Sequence, residues 1–265
     1  MIPYQKKIKK QIFDNLITKL NKDINIISLY NYFLDINNLN RITSEFVQYE
    51  DIPLLLYIKF ELFGYPTDTN IKYITIDEGQ DYNYMQYMIM RNIFKNAYFS
   101  ILGDINQTLN YYIDYSSLKD IELVIKDSTY IELNKTYRSS KEIMEYTNKI
   151  FNISNYEVIR KDNTTPIIFR DIKYDINKDI AMLKKKYNSI AIIVKNEDSL
   201  KINDLKVATS EDKEISKITI IPVYLAKGLE FDAVIVYGID NKDILNKKNF
   251  YVACTRALHQ LIIYN

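Results

Sequence analysis

Asp77 and Glu78 stand directly after the apolar run Ile71-Lys72-Tyr73-Ile74-Thr75-Ile76. An acid pair at the carboxyl end of a strand lies where open α/β sheets bind their ligands. Such a pair can serve phosphoryl transfer, the first carboxylate holding a hydrated magnesium ion and the second orienting or deprotonating the attacking water. Taken alone, Asp77-Glu78-Gly79-Gln80-Asp81 is equally readable as a solvated acidic turn. Four further segments weigh against that reading: Gly103-Asp104-Ile105-Asn106-Gln107, Asn134-Lys135-Thr136-Tyr137-Arg138-Ser139, Ala226-Lys227-Gly228-Leu229-Glu230-Phe231-Asp232 and Tyr251-Val252-Ala253-Cys254-Thr255-Arg256-Ala257.

The elements that must position these residues are readable from periodicity. Residues 1–63 read as helical, with Ile8, Ile12, Phe13, Ile17 and Leu20 at helix spacing and Leu54 to Phe63 as a second apolar helix. Buried strands are expected at 71–76, 98–102 and 129–133, with a helix from about Asn83 to Phe94 between the first two. Ser139 and Glu142 have the spacing of a capping box that opens a helix. Beyond it, strands are expected at 167–169, 190–194, 218–221, 233–237 and 261–264, and helices near 176–187, 197–205 and 249–258. This alternation predicts an α/β fold with mostly parallel strands and helices on both faces.

The phosphate-binding loop G-x-x-x-x-G-K-[ST] is missing from this sequence. Its five glycines are Gly64, Gly79, Gly103, Gly228 and Gly238, and none precedes Lys-Ser or Lys-Thr. The composition is that of an ordinary globular chain: 265 residues, 47% hydrophobic, 26% charged. A formal charge of +1 supplies no global field toward nucleic acid or membrane, so any strand binding must be local. One cysteine, Cys254, excludes an intrachain disulfide, and one histidine, His259, excludes a Cys/His metal cluster. Cys254 reads as a small packed residue in a reducing cytoplasm, and His259, with no polar partner nearby in sequence, as structural or solvated. No membrane span is expected, because the longest apolar stretch, around Leu54 to Ile58, is far too short.

In order and spacing, the five segments resemble motifs II through VI of the UvrD/Rep-like superfamily 1 helicases. The stretch from Tyr49-Glu50-Asp51 through Leu54-Leu55-Leu56, together with "ITIDEGQDY", "IIPVYLAKGLEFDAVIVYG" and "FYVACTRALHQL", is most similar to the HelD branch. This resemblance, over roughly residues 49 to 265, implies RecA-like domains with a complete second and a partial first: 1–63 as the tail of a helical insert, 64–134 as partial first domain, 135–265 as second. It implies ATP and Mg2+ as cofactors, and as partners single-stranded nucleic acid, RNA polymerase, or both. Matched residue by residue, Asp77 would hold magnesium, Glu78 would position the lytic water and Gln107 would sense the γ-phosphate. Arg138 and Arg256 would serve the transition state, both from the second domain, so that closing the cleft completes the site. Tyr137 would stack on adenine, Gly228 and Glu230 would lie at the nucleotide with Glu230 on the ribose, and Tyr112 would stack on a nucleic-acid base, unless it is an interface tyrosine.

Two departures stand out. Gly79 replaces the alanine of many relatives, which implies added backbone freedom. Pro222-Val223-Tyr224 replaces the Thr-His usual before A-K-G in DNA-translocating relatives, which favours the HelD-like branch. Without the loop's amides, nucleotide affinity should fall by several kcal/mol, roughly the loss of its charge-assisted donors, and the chain is expected to be inactive alone. Three expectations follow: a segment of a larger ATPase whose missing N-terminal portion carries the loop, a non-hydrolysing module that docks on RNA polymerase or a helicase, or a split motor completed by another chain.

Overall fold

The computed structural model describes residues 25–265 apart from 44, 46, 111, 112, 114, 155, 161–166, 198, 200–204, 206, 210, 211, 213–215, 241 and 243. Two compact units divide the chain: one runs to Gly103 and takes in Lys119–Ser128, the other holds Asp104–Leu118 and Thr129–Asn265.

In the first unit, α1 (Ile26–Ile36) begins at Asn25, whose side chain accepts from the Ser28 amide. The second helix, α2 (Ile52–Phe63), has Pro53 in its first turn and ends at Gly64, where φ is 89°. The Tyr30 hydroxyl donates to Asp51 at 2.5 Å and ties α1 to the entry of α2. Asn83 and Gln86 form a reciprocal capping box at the start of α3 (Tyr84–Ile93). On either side of α3 lie β1 (Tyr73–Ile76) and β2 (Tyr98–Ile101), paired in parallel with Tyr73 opposite Tyr98. The buried strand expected at 71–76 is shorter and open on one face. Tyr73 is 78% exposed and Tyr98 72%, their rings stacked on each other at 5.6 Å, because β1 and β2 form a sheet of only two strands among the described residues.

The second unit is built on a five-stranded, wholly parallel sheet in the order β5 (Ile168–Arg170), β9 (Ala257–Tyr264), β8 (Phe231–Tyr237), β6 (Ile190–Val194), β7 (Ile218–Pro222). Ile-Ala-Ile-Ile-Val in β6 is buried at every position, as a strand covered on both faces must be. Side-chain alternation splits the core in two. Ala191, Ile193, Val234, Val236, Leu261 and Ile263 pack with residues of α4 (Lys141–Ile150) and α7 (Ile244–Thr255). Ile190, Ile192, Ala233, Ile235 and Ile262 pack with α5 (Ile176–Lys184). Pro222, which has no amide hydrogen to donate, closes the edge strand β7 and leads into a single turn, α6 (Val223–Ala226).

Several expectations shift. Residues 129–133 form no strand among the described residues, and Ile131 and Leu133 are 73% and 84% exposed. Pairing starts at β3 (Lys135–Thr136), where β4 (Glu157–Val158) supplies partners: Glu157 N–H to Asn134 O at 2.6 Å and Ile159 N–H to Thr136 O at 3.0 Å. The helix cap is Ser140, whose hydroxyl oxygen accepts from the Ile143 amide, while Ser139 donates its hydroxyl to Ala257 O at 2.6 Å. A tertiary acceptor has taken the serine that the sequence placed in a capping box. The helix expected at 249–258 begins at Ile244 and stops at Thr255, so His259 lies in β9. Expected helical residues before 25, and most of 197–205, lie outside the described residues.

At the carboxyl ends of β5 and β9 an ion pair between half-buried Arg170 and buried Asp179 joins edge to core. Arg170 Nε and Nη2 donate to the two Asp179 oxygens at 2.9 and 3.0 Å, and the Tyr264 hydroxyl donates to Oδ2 at 2.5 Å. Burial by itself pushes the Asp179 carboxyl up, but the hydrogen bonds from Arg170 and Tyr264 outweigh it and hold the group below the ordinary aspartate range. Its contribution to stability is therefore full above the unfolded pKa and is lost as pH falls through the lowered folded value. Asp179→Asn is expected to flatten the acid side of a stability-versus-pH curve measured by circular dichroism; an unchanged acid slope would show that this carboxylate is not linked to folding.

Candidate active site

The acids of the first unit sit at the tip of β1. Asp77 is exposed and accepts the Glu78 amide on Oδ1 at 2.9 Å. Glu78 has φ 52° and ψ 42°. Among the described residues, the other non-glycine residues with positive φ are Asn38, Asp127 and Asn152, types that tolerate this conformation, so Glu78 alone carries about 1 kcal/mol or more of local strain. Its surroundings fix it there: Gln80, fully buried, donates Nε2 to Glu78 Oε2 at 2.5 Å, and the Gly79 amide donates to Leu102 O at 2.7 Å.

Gly79 is needed for room rather than for backbone freedom, which corrects the expectation from sequence. Its φ lies outside the left-handed region. A methyl at this position would land on Ile101 Cγ2, 2.8 Å from the Tyr87 hydroxyl and 3.2 Å from Leu102 O. A Cβ at Gly103 would meet the end of the Gln80 side chain and lie 3.1 Å from the Gln80 and Gly79 amide nitrogens.

In the second unit, a one-turn helix at Ile105–Gln107 is capped by Asp104, whose Oδ1 accepts the Asn106 amide at 2.9 Å. Gln107 donates Nε2 to Asp104 Oδ2 at 2.9 Å and accepts Arg256 Nη2 on Oε1 at 2.7 Å. A carboxylate on one side and a guanidinium on the other permit only this orientation of the amide. Arg256 is fully buried, with Nε donating to Val252 O at 3.1 Å, Nη1 to Leu229 O at 3.4 Å and Nη2 also to the Thr255 hydroxyl at 3.2 Å. Tyr251, on α7, reaches Asp104: burial, then the negative Asp104 carboxylate to which it hydrogen-bonds, push its phenol up. Its ring is held edge-on by Phe151 at 5.4 Å. Asp104 and Tyr251 stand inside motifs already recognised, yet neither had been given a role.

Arg138 and Glu230 form an ion pair at 2.6 Å. Tyr137 beside them is 67% exposed, and Gly228 turns the chain into β8 with φ 79°. A cavity of about 230 Å³ opens next to Glu230 at the amino ends of β6, β7 and β8, walled also by Asn188, Ser189, Lys217 and Leu229. His259 has polar company after all. Arg160 Nη2 lies 2.6 Å from its Nδ1 and Asp232 Oδ1 lies 4.0 Å from its Nε2. Arg160, outside every motif, was not singled out from sequence. Cys254 is buried as expected, and burial pushes its thiol up.

The structure thus brings together Gln107 with Arg256 and Arg138 with Glu230, while Asp77 and Glu78 belong to the other unit. Tyr112 lies outside the described residues. Within the first unit Asp77 is an exposed carboxylate suited to an ion's water shell, and within the second Arg138 is an accessible guanidinium suited to a phosphate. A loop of backbone amides for the β- and γ-phosphates is not encoded. Among the described residues no group of three or more His, Cys, Asp or Glu could hold a metal ion, and no helix is long and apolar enough to cross a membrane.

Two family models match: the UvrD/REP helicase N-terminal domain over residues 5–112 and the UvrD-like helicase C-terminal domain over residues 174–265. A probable DNA helicase of Mycoplasma pneumoniae (strain ATCC 29342 / M129 / Subtype 1) is 24% identical over 240 residues, covering 73% of this chain and 43% of its own, so the chain spans less than half of that relative. Among solved structures, the C-terminal domain of a possible DNA helicase from Lactobacillus plantarum WCFS1 covers 49% of this chain and 86% of its own at 24% identity, with a TM-score of 0.38. The PRRSV helicase covers 72% of this chain and 34% of its own at 19% identity, with a TM-score of 0.46.

Proposed function

We propose that this chain, which matches the UvrD/REP helicase N-terminal domain and the UvrD-like helicase C-terminal domain in turn, is part of a UvrD/Rep-like superfamily 1 helicase and supplies the acid, sensor and arginine parts of an ATP-driven motor. The phosphate-binding loop comes from outside this sequence, in a preceding segment or a second chain. The observation that carries the reading is the bond from Arg256 to Gln107, residues 149 apart in sequence, which sets the sensor amide of one motif on the arginine of another.

Magnesium-bound ATP, once held, supplies the phosphoryl group whose transfer drives such motors. This chain's part is to hold magnesium through the water shell at Asp77 and to orient the lytic water at Glu78, whose fixed backbone leaves the carboxylate little freedom. Gln107 senses the γ-phosphate, Arg138 and Arg256 meet its charge, and Tyr137, Gly228 and Glu230 hold base and ribose. Single-stranded nucleic acid is the polymer substrate, contacted by Tyr112. RNA polymerase is the further target if the HelD-like features at Pro222-Val223-Tyr224 carry their usual meaning. The domain reading is a partial first RecA-like domain followed by a complete second one, working in the cytoplasm.

A second reading, a docking module that hydrolyses nothing, is favoured by α1. Leu29, Tyr32, Phe33 and Ile36 recur at helical spacing, and all four are at least 40% exposed.

One experiment separates the two. A fluorescent ATP analogue with magnesium is expected not to bind the chain alone up to millimolar concentration, and to bind when the loop-bearing half of a UvrD/Rep-like motor is added. Arg138→Ala should then weaken binding roughly tenfold or more, the worth of one charge-assisted hydrogen bond. Equal affinity in Arg138→Ala would sink the motor reading, and failure of every combination to bind would favour docking.

A further inference from the structure

We propose that Arg160 is a positioning residue for the Tyr137–Arg138 segment, held in place by His259 in its neutral form, so that the seat of Arg138 is sensitive to acid. The functional meaning of that seat rests on the nucleotide role assigned to Arg138 above.

Pairing of β4 with β3 delivers Arg160 beside the residues that follow β3. Its Nη1 donates to Arg138 O at 2.9 Å and to Leu258 O at 3.0 Å. One guanidinium nitrogen thereby joins the main chain at Arg138 to the main chain of β9. The next residues are already fastened to the same strand, Ser139 through its hydroxyl to Ala257 O at 2.6 Å and Ser140 through its amide to Leu258 O at 3.2 Å. Arg160 extends that fastening by one residue, to the one whose side chain must be aimed. Tyr137 and Arg138 project toward solvent from this backbone, so Arg160 limits where their side chains can reach.

The second arm of Arg160 fixes a protonation state. Nη2 lies 2.6 Å from His259 Nδ1, and a guanidinium can only donate. Nδ1 must therefore present its lone pair, which leaves the ring neutral with its hydrogen on Nε2. That hydrogen is on the side of Asp232, whose Oδ1 is 4.0 Å away and whose Oδ2 accepts the Asn188 and Ser189 amides at 3.0 and 3.1 Å. The Tyr187 ring lies nearly parallel to the imidazole, 6.2 Å away at 14°, with Lys186 Nζ 5.1 Å from that ring. Arg160, Lys186 and Asp232 are thus charged groups around the imidazole. Protonation would set an N–H of His259 against an N–H of Arg160, turning the contact from attraction to repulsion and releasing the clamp.

His259 is the sole histidine, so its imidazole nitrogen resonances are free of overlap. At alkaline pH the wild-type chain is expected to show the Nε2–H tautomer, and Arg160→Ala a mixture of both. Hydrogen exchange of peptides spanning 134–140 should be roughly five- to tenfold faster in Arg160→Ala, the equivalent of one lost hydrogen bond. The same loss of protection should appear in wild type on acidification, after correction for intrinsic exchange. His259→Gln, whose amide oxygen can accept from Arg160 but does not titrate, should keep the protection and lose its acid sensitivity. If Arg160→Ala does not fold, Arg160→Lys is read in its place, since a single ammonium cannot span all three acceptors. An unchanged tautomer and unchanged exchange in the Arg160 variant would overturn the proposal. Neither readout involves nucleotide, so failure of the nucleotide reading would show separately, in the analogue affinity of Arg138→Ala.

Discussion

Arg256→Ala is expected to lower the unfolding free energy by about 3 to 5 kcal/mol, the sum of several lost hydrogen bonds from a charged donor and the void left by a large buried side chain. Four acceptors surround this guanidinium: the Val252 and Leu229 carbonyls, the Gln107 amide oxygen and the Thr255 hydroxyl. Truncation takes a charged donor from each of them, although Val252 O keeps the Thr255 hydroxyl, and opens a void at the end of α7, beside Cys254 and Ala257, which are themselves fully buried. Gln107→Ala should cost only about 1 kcal/mol, because Arg256 Nη2 keeps the Thr255 hydroxyl. Urea denaturation followed by circular dichroism measures both variants. A shift below about 1 kcal/mol for Arg256→Ala would mean that the guanidinium is not locked in solution, since a buried hydrogen bond alone is worth that much. The functional consequence is direct. A guanidinium held by this many protein acceptors can reach a phosphate by exchanging one of them, and Gln107, proposed above for the γ-phosphate, is the partner on a different motif. Exchange of that one bond for a phosphate contact would couple nucleotide binding to the seating of the Ile105–Gln107 turn.

How far the sequence could be read depended on whether the deciding interaction was local. Ile190–Val194 and Ala233–Tyr237 were legible because a strand buried on both faces must be apolar throughout. Residues 129–133 have a strand's composition, but composition cannot report that no neighbouring strand lies there, and the chain waits until Lys135 for a partner. Two adjacent serines offered two caps, and the choice was made by Ala257, 118 residues beyond Ser139. The candidate site divides the same way. Motif order gave Asp77, Glu78, Gln107, Arg138 and Arg256 their chemistry by resemblance; the partners of Asp77 and Glu78 are local, but the Gln107–Arg256 and Arg138–Glu230 contacts lie across the fold. A signal for Arg256 was nonetheless present: the residues before it, Phe250 through Cys254, are an apolar run buried on all sides, and a charge closing such a run must be fully paired. Arg160 carried no comparable signal, since nothing in its sequence neighbourhood distinguishes it from a solvated arginine.

Gly79→Ala is the change that resemblance would call conservative, and it is expected to destabilise the first unit by about 1 to 3 kcal/mol, the usual penalty for overpacking. The methyl would meet Ile101 Cγ2 and the Tyr87 hydroxyl, and Tyr87 has little room to move: it is fully buried and donates that hydroxyl to Gly79 O at 2.6 Å. Leu102 O, 3.2 Å from the new carbon, is backbone tied to the Gly79 amide, so it cannot withdraw without losing that bond. Glycine at 79 and tyrosine at 87 therefore act as a matched pair, the phenol occupying space that a smaller side chain at 87 would leave for an alanine at 79. Tyr87→Phe removes the nearest oxygen but also a buried hydrogen bond, so alone it should destabilise by about 1 kcal/mol. In combination with Gly79→Ala the two penalties should fall short of their sum, because one change relieves the crowding that the other creates. Thermal melts of the four proteins give the coupling; strict additivity would show that the crowding lies against Ile101 and the Leu102 carbonyl instead. The distortion should reach the chemistry too, since Glu78 keeps its left-handed backbone only while the Gly79 amide stays on Leu102 O and Gln80 stays on its carboxylate.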